Sequence, residues 1–224
     1  MRPHYLGIAA LSLAAGIANT MDAQVCQGTA PFSAGSARIG AGMQFTDGAK
    51  AYGGGIALGS SNSLFASADY VHTQFDDVDA GANGVNLQGG YSIAMNTSRT
   101  VQLCPLVGFA YQSGPNVDTG GFGTISTSLH AFAFGASIGT TVSMSPALDL
   151  VPFGGASYEM THASSSLGGV SSSGDDNTTI LQLGAGFVFN KVMTIQPSVS
   201  LPTESGSKPV WSVSFGFNFG TPAK

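Results

Sequence analysis

Val210-Trp-Ser-Val-Ser-Phe-Gly-Phe-Asn-Phe219 is the stretch whose reading decides the fold. Trp211, Val213, Phe215, Phe217 and Phe219 share one parity; Ser212, Ser214, Gly216 and Asn218 share the other. A period of two belongs to a strand whose side chains alternate between two faces. A soluble sandwich or a lipocalin-like barrel gives the same alternation when its apolar face turns to a core. The polar face here carries no Lys, Arg, Asp or Glu, whereas a water-facing sheet normally does. Small uncharged residues suit a confined lumen, with the aromatic face turned to lipid.

The whole chain shares this deficit of charge. Only 8% of its 224 residues are charged, against about a quarter in ordinary soluble domains. Disorder does not explain the deficit, because 43% of the residues are hydrophobic. The formal net charge of −5 and the lack of any basic cluster argue against a nucleic-acid partner. Arg2, an apolar run over 6–18 and the small residues after it read as a secretory leader, residues 1–23. Cleavage is expected after Ala23 or after Ala18. That run is too short to cross a bilayer as a helix, so any membrane crossing falls to strands.

Outward from the terminal stretch, the alternation recurs. Ala37, Ile39, Ala41, Met43 and Phe45 oppose Arg38, Gly40, Gly42 and Gln44, and Asp47-Gly48 reads as a hairpin turn. Further strands are expected over 51–58, 64–74, 85–95, 101–111, 131–138, 147–160, 181–189 and 195–201. The strand at 64–74 is the least regular, since Phe65 and Val71 share the parity of Asp69. Short turns at 60–63, 96–99, 143–146 and 190–191 alternate with generally longer connections at 45–50, 76–84, 113–123, 161–177 and 203–208. Transmembrane barrels segregate short periplasmic turns from longer outside loops in this way. The reading is a single up-and-down antiparallel transmembrane β-barrel over 36–220, about ten strands, with eight or twelve as alternatives. A periplasmic N-terminal tail (24–35) and a C-terminal tail (221–224) flank it.

Internal repetition fits tandem hairpins. Residues 101–111, Val-Gln-Leu-Cys-Pro-Leu-Val-Gly-Phe-Ala-Tyr, align with 148–158, Leu-Asp-Leu-Val-Pro-Phe-Gly-Gly-Ala-Ser-Tyr. Pro105 and Pro152 fall near strand beginnings, where a missing ladder donor is tolerated. Tyr52, Tyr70, Tyr111, Tyr158 and Trp211 fall near the long-connection ends of their strands, and Phe219 near the short-turn end. Such placement forms aromatic girdles at the two membrane interfaces.

On the leader, the Pro-(Leu/Phe)-x-Gly-x-x-Tyr strands at 105–111 and 152–158, and the Phe217-x-Phe219 ending, the chain resembles the OmpA/OmpX-like small outer-membrane β-barrel proteins of diderm bacteria. The resemblance covers about 36–220. It implies outer-membrane lipid and lipopolysaccharide as surroundings. It also implies a terminal strand similar to the signal read by the barrel-assembly machinery, here followed by residues 220–224.

Chemistry-bearing patterns are sparse. No Cys/His spacing suits zinc, no Gly-x-Ser-x-Gly occurs, and no glycine run precedes a helix as a phosphate loop. His72 with Asp76 and Asp77, and His162 elsewhere, are the candidates for a barrel enzyme; solvated loop residues are the plainer reading. Asp76, Asp77, Asp79, Asp118, Asp175 and Asp176 make an acidic rim that holds divalent cations or only keeps the loops hydrated. No catalytic residue, metal ligand or cofactor is assigned. Arg38, Asp69, Asp149 and Glu159 are the charged side chains expected in the lumen, among Gln44, Asn86, Gln88, Gln102, Gln182 and Gln196.

Cys26 and Cys104 are the only two cysteines. An exported chain matures in an oxidising compartment, and both residues fall near the short-turn end, so a disulfide is expected. The intervening chain is long enough to cross the barrel mouth, where residues 27–35 would then lie. Lipidation of Cys26 and two free thiols are the alternatives. The function expected is structural or surface-interacting, as a monomer without catalysis. A narrow channel for small solutes is the first alternative and an envelope-modifying barrel enzyme the second.

Overall fold

The computed structural model describes residues 25–30, 36–60, 63–76, 80–118, 123–167 and 170–219. The leader at 1–23 and the tail at 221–224 lie outside the described residues. Ten antiparallel strands form a closed ring. They are β1 (Ala37–Thr46), β2 (Ala49–Gly59), β3 (Leu64–Phe75), β4 (Gly81–Tyr91), β5 (Val101–Ser113), β6 (Thr124–Thr140), β7 (Leu148–Leu167), β8 (Val170–Phe189), β9 (Met193–Pro202) and β10 (Val210–Phe219). Each pairs with the next, and β1 pairs with β10, Ala37 opposite Phe219 and Phe45 opposite Trp211. Closure leaves no strand edge within the ring, the requirement for backbone in a medium without water.

The alternation read in the sequence is the alternation of the walls. Ile39, Ile56, Leu87, Val107, Phe134, Ile138, Leu183 and Phe215 are exposed on the outside. Asn86, Gln88, Gln102, Ser137, Gln196, Ser200 and Ser212 are buried inside. A soluble barrel has the reverse distribution, and an apolar belt on this scale is a surface made for lipid. The two-residue turn at 47–48 uses Gly48 at φ +83, a left-handed conformation that glycine adopts without a Cβ clash. Asn190 and Lys191 take φ 50 and 60 in the connection from β8 to β9.

Several connections differ from their sequence reading; within the segment read as the 113–123 loop, Val117–Asp118 pairs with Ile125 and Thr124. The segment 161–177, read as the longest loop, is paired strand over 161–167 and 170–177: β7 and β8 match residue for residue from Leu148↔Phe189 to Leu167↔Val170. Within the segment read as the 76–84 loop, β4 already begins at Gly81. The turn read at 143–146 is partly strand too, since Val142–Ser145 pairs with the beginning of β7. In each case the polar, turn-like composition belongs to strand held by neighbours already in register.

The irregular strand also finds its reason. Phe65 turns inward with Ser67, Asp69 and Thr73. It packs there against Cys26 and Cys104.

Candidate functional site

The lumen is occupied by the chain's own N-terminal segment. Val25–Gln27 form one 3₁₀ turn, and residues 25–30 are all buried. Cys26 is disulfide-bonded to Cys104, with their Cα atoms 6.0 Å apart. Around that bond, Phe65 and Leu106 complete an apolar cluster. Val25 and Ala30 form a second cluster with Val151 and Val188. Gln27 Nε2 donates to Gln88 Oε1 at 3.2 Å.

Two glycines of the wall make room for this segment. A Cβ on Gly139 would collide with the Val25 carbonyl oxygen, and one on Gly186 with that of Gly28. Gly28 itself stands at φ +80 with the Phe153 ring beside it. The tail placed by sequence in the periplasm, against the opening, is therefore inside the barrel over 25–30; residues 31–35 lie outside the described residues.

What remains of the lumen is divided. One cavity is lined by Gln44, Asp69, Asn86, Gln196, Ser198 and Ser212. Another is lined by Gln27, Gln88, Ser137 and Gln182. On the side of β5 and β6, Ala110, Leu129, Ala131 and Ala133 pack together.

Of the expected lumen charges, Arg38 and Glu159 are fully buried and Asp69 is 7% exposed. Glu159 Oε1 accepts from the Thr161 hydroxyl at 3.2 Å. Asp149 has the inward parity and stands half-buried near the turn. There the Ser143 hydroxyl donates to Asp149 Oδ1 at 2.7 Å. Tyr52, Tyr70, Tyr158, Trp211 and Phe219 are exposed on the outer wall, and Tyr111 is half-buried.

The far end of the ring from the short turns is uneven. The wall of β6, β7 and β8 runs on beyond its neighbours: Ser126 to Ser128 pair with Ser164 to Ser166. These in turn pair with Ser171 to Ser173. The Ser128 and Ser164 hydroxyls are 2.8 Å apart. β8 pairs with β9 only from Ile180 onward, and Thr203 N donates to Thr179 O at 2.9 Å. Residues 170–178 thus have a ladder partner in β7 and, among the described residues, an open edge on the other side.

Strand register assembles a row on the outer wall that the sequence does not announce. Tyr111, His130, His162 and Asp175 stand opposite one another on β5 to β8. The Tyr111 and His130 rings are 5.1 Å apart, and His130 and His162 6.4 Å apart. His162 Nδ1 lies 2.7 Å from Asp175 Oδ1. His72, Asp76 and His162 are not brought together by any such contact. His72 Nδ1 is bonded to Asn83 Oδ1 at 2.8 Å, with Tyr70 donating to the same oxygen at 2.6 Å. Asp76 lies 3.7 Å from Lys50 Nζ. Asp77 and Asp79 fall outside the described residues. Among the described residues, no group of three or more His, Cys, Asp or Glu side chains is placed to hold a metal ion.

No family model matches the sequence, and no curated protein matches it either. Solved structures do resemble the fold. The translocator domain of the autotransporter NalP from Neisseria meningitidis is 14% identical, with a TM-score of 0.50 over 96% of this chain and 94% of that one. Ail, the attachment invasion locus protein of Yersinia pestis, is 14% identical with a TM-score of 0.39, over 83% of this chain and 99% of that one. The KdgM porin is 12% identical with a TM-score of 0.40, over 82% and 99% of the two chains. In its closed ring of ten strands and its apolar outer wall, the chain is a small β-barrel of the outer-membrane type.

Proposed function

We propose that this protein is a non-catalytic surface-interaction barrel: an anchor in the outer membrane of a diderm bacterium that holds a β-ribbon outside the cell. The observation that carries the reading is the overshoot of β6, β7 and β8, with the open ladder edge at residues 170–178. An unpaired edge offers backbone donors and acceptors in a row and takes up an extended polypeptide as a further strand. Exposed Asp175 and Asp176 at that edge favour a partner with basic side chains. The short turns then lie in the periplasm, as in a chain exported behind the leader and inserted by the barrel-assembly machinery. Outer-membrane lipid and lipopolysaccharide surround the apolar wall, and the barrel works as a monomer.

The test removes residues 163–174 and closes the shortened hairpin with Asn-Gly. The barrel should still assemble, while adherence of cells to immobilised host-surface proteins falls to the level of cells lacking the protein. Unchanged adherence overturns the reading. The channel alternative has its own support in the cavity lined by Asn86 and Gln196. Stepwise currents from the purified barrel in planar bilayers would establish it, and a silent barrel favours the anchor.

A further inference from the structure

The two sulfurs of the disulfide stand where no other protein can reach them. Cys26 and Cys104 are both 0% exposed. Phe65 and Leu106 close around them within the lumen. Residues 25–30 fill the space beside them, with the Val25 carbonyl against Gly139 and the Gly28 carbonyl against Gly186. The pairing of β1 with β10 seals the surrounding wall.

Thiol–disulfide exchange requires a thiolate to meet a disulfide sulfur directly, through a mixed disulfide with the oxidant. A protein oxidant carries its reactive sulfur on a folded surface, and that surface cannot enter this lumen. We infer that the Cys26–Cys104 bridge is made before the barrel closes, on an open chain in the periplasm, by a protein disulfide oxidant. In the exchange one cysteine thiolate breaks the oxidant's S–S bond and forms the mixed disulfide. The second cysteine then displaces the oxidant, the Sγ–Sγ bond forms, and two electrons and two protons pass to the oxidant as its dithiol.

The order has a structural consequence. Residues 25–30 are already tied to β5 when β6, β7 and β8 arrive. Gly139 on β6 and Gly186 on β8 are then the places where later strands fit around a segment in position. The bridge is thus an assembly step that precedes membrane insertion.

The experiment uses the protein purified from cells, reduced, and held either unfolded in urea or refolded as the closed barrel in detergent. Each form meets the same purified periplasmic-type protein oxidant, and free thiols are counted by mass after denaturing alkylation. The unfolded chain should lose both thiols, and the closed barrel should react at least about tenfold more slowly. Bridge formation at similar rates in both forms overturns the inference. The reverse reaction gives a second reading that does not depend on refolding the reduced chain. A protein dithiol reductant should leave the native oxidised barrel bridged and reduce it once urea is added. Reduction of the native barrel as fast as of the unfolded chain also overturns it.

Discussion

The carbonyl oxygen of Gly28 rests against the α-carbon of Gly186, with no room between them for a methyl group. This contact seats the N-terminal segment on β8. Gly186→Ala should therefore displace the segment and destabilise the barrel by roughly 1–3 kcal/mol, the usual range for overpacking. Gly174→Ala on the same strand faces open space and should be silent. Urea midpoints of the two variants in detergent decide it; equal midpoints would mean that the segment is not seated at Gly186.

The outer wall predicts a second contrast. Phe134→Arg, Leu183→Arg and Val107→Arg each put a cation among exposed apolar neighbours. Each should cost roughly 2–4 kcal/mol near the bilayer midplane and reduce the amount of assembled barrel. Ser137→Arg should be no milder, because Ser137 is 4% exposed beside Gly155 in a filled lumen. Ser172→Arg, on the exposed ribbon, should assemble normally. Normal assembly of Leu183→Arg would remove lipid from that face.

Orientation is read by single cysteines, which is practical because the two native ones are bonded to each other. Ser172→Cys at the ribbon should react with a membrane-impermeant thiol reagent on intact cells, and Ser145→Cys beside a short turn should not. Both positions are solvent-exposed, so accessibility alone does not separate them. The opposite labelling would invert the barrel in the membrane.

The exposed ion pairs of the rim should matter little. Lys50–Asp76 and Lys208–Asp47 each span 3.7 Å between well-exposed side chains. Lys50→Ala or Lys208→Ala should shift stability by less than about 1 kcal/mol. A larger loss in thermal unfolding would show that these lysines have a role beyond their surface pairs.

The ring was legible in the sequence because a lipid-facing barrel writes its two walls into alternate residues. Trp211 to Phe219 and Val101 to Tyr111 carry that pattern without interruption. The ribbon was not legible, because residues 161–177 are rich in Ser, Gly, Asp and Asn, and such composition reads as loop. Pairing imposes strand there, the two halves of the segment on each other and the first half on β6, as in the ladder of Ser126, Ser166 and Ser171. The row of His130, His162 and Asp175 was hidden for the same reason, since it exists only once three strands are in register. The buried tail has no periodicity to read. Its traces are the two cysteines and the inward Phe65, whose irregular parity is the imprint of what it packs against.

The disulfide also changes what a break in the backbone means. It makes one covalent loop of every residue between Cys26 and Cys104, a sequence separation of 78. A protease that nicks the connection at 47–48 or at 60–63 leaves both pieces on one molecule, even in denaturant. A nick between β5 and β6, or between β7 and β8, lies beyond the loop and yields two fragments once the barrel is unfolded. Damage to the first four strands is therefore mended by the chain's own topology, and damage to the last five is not.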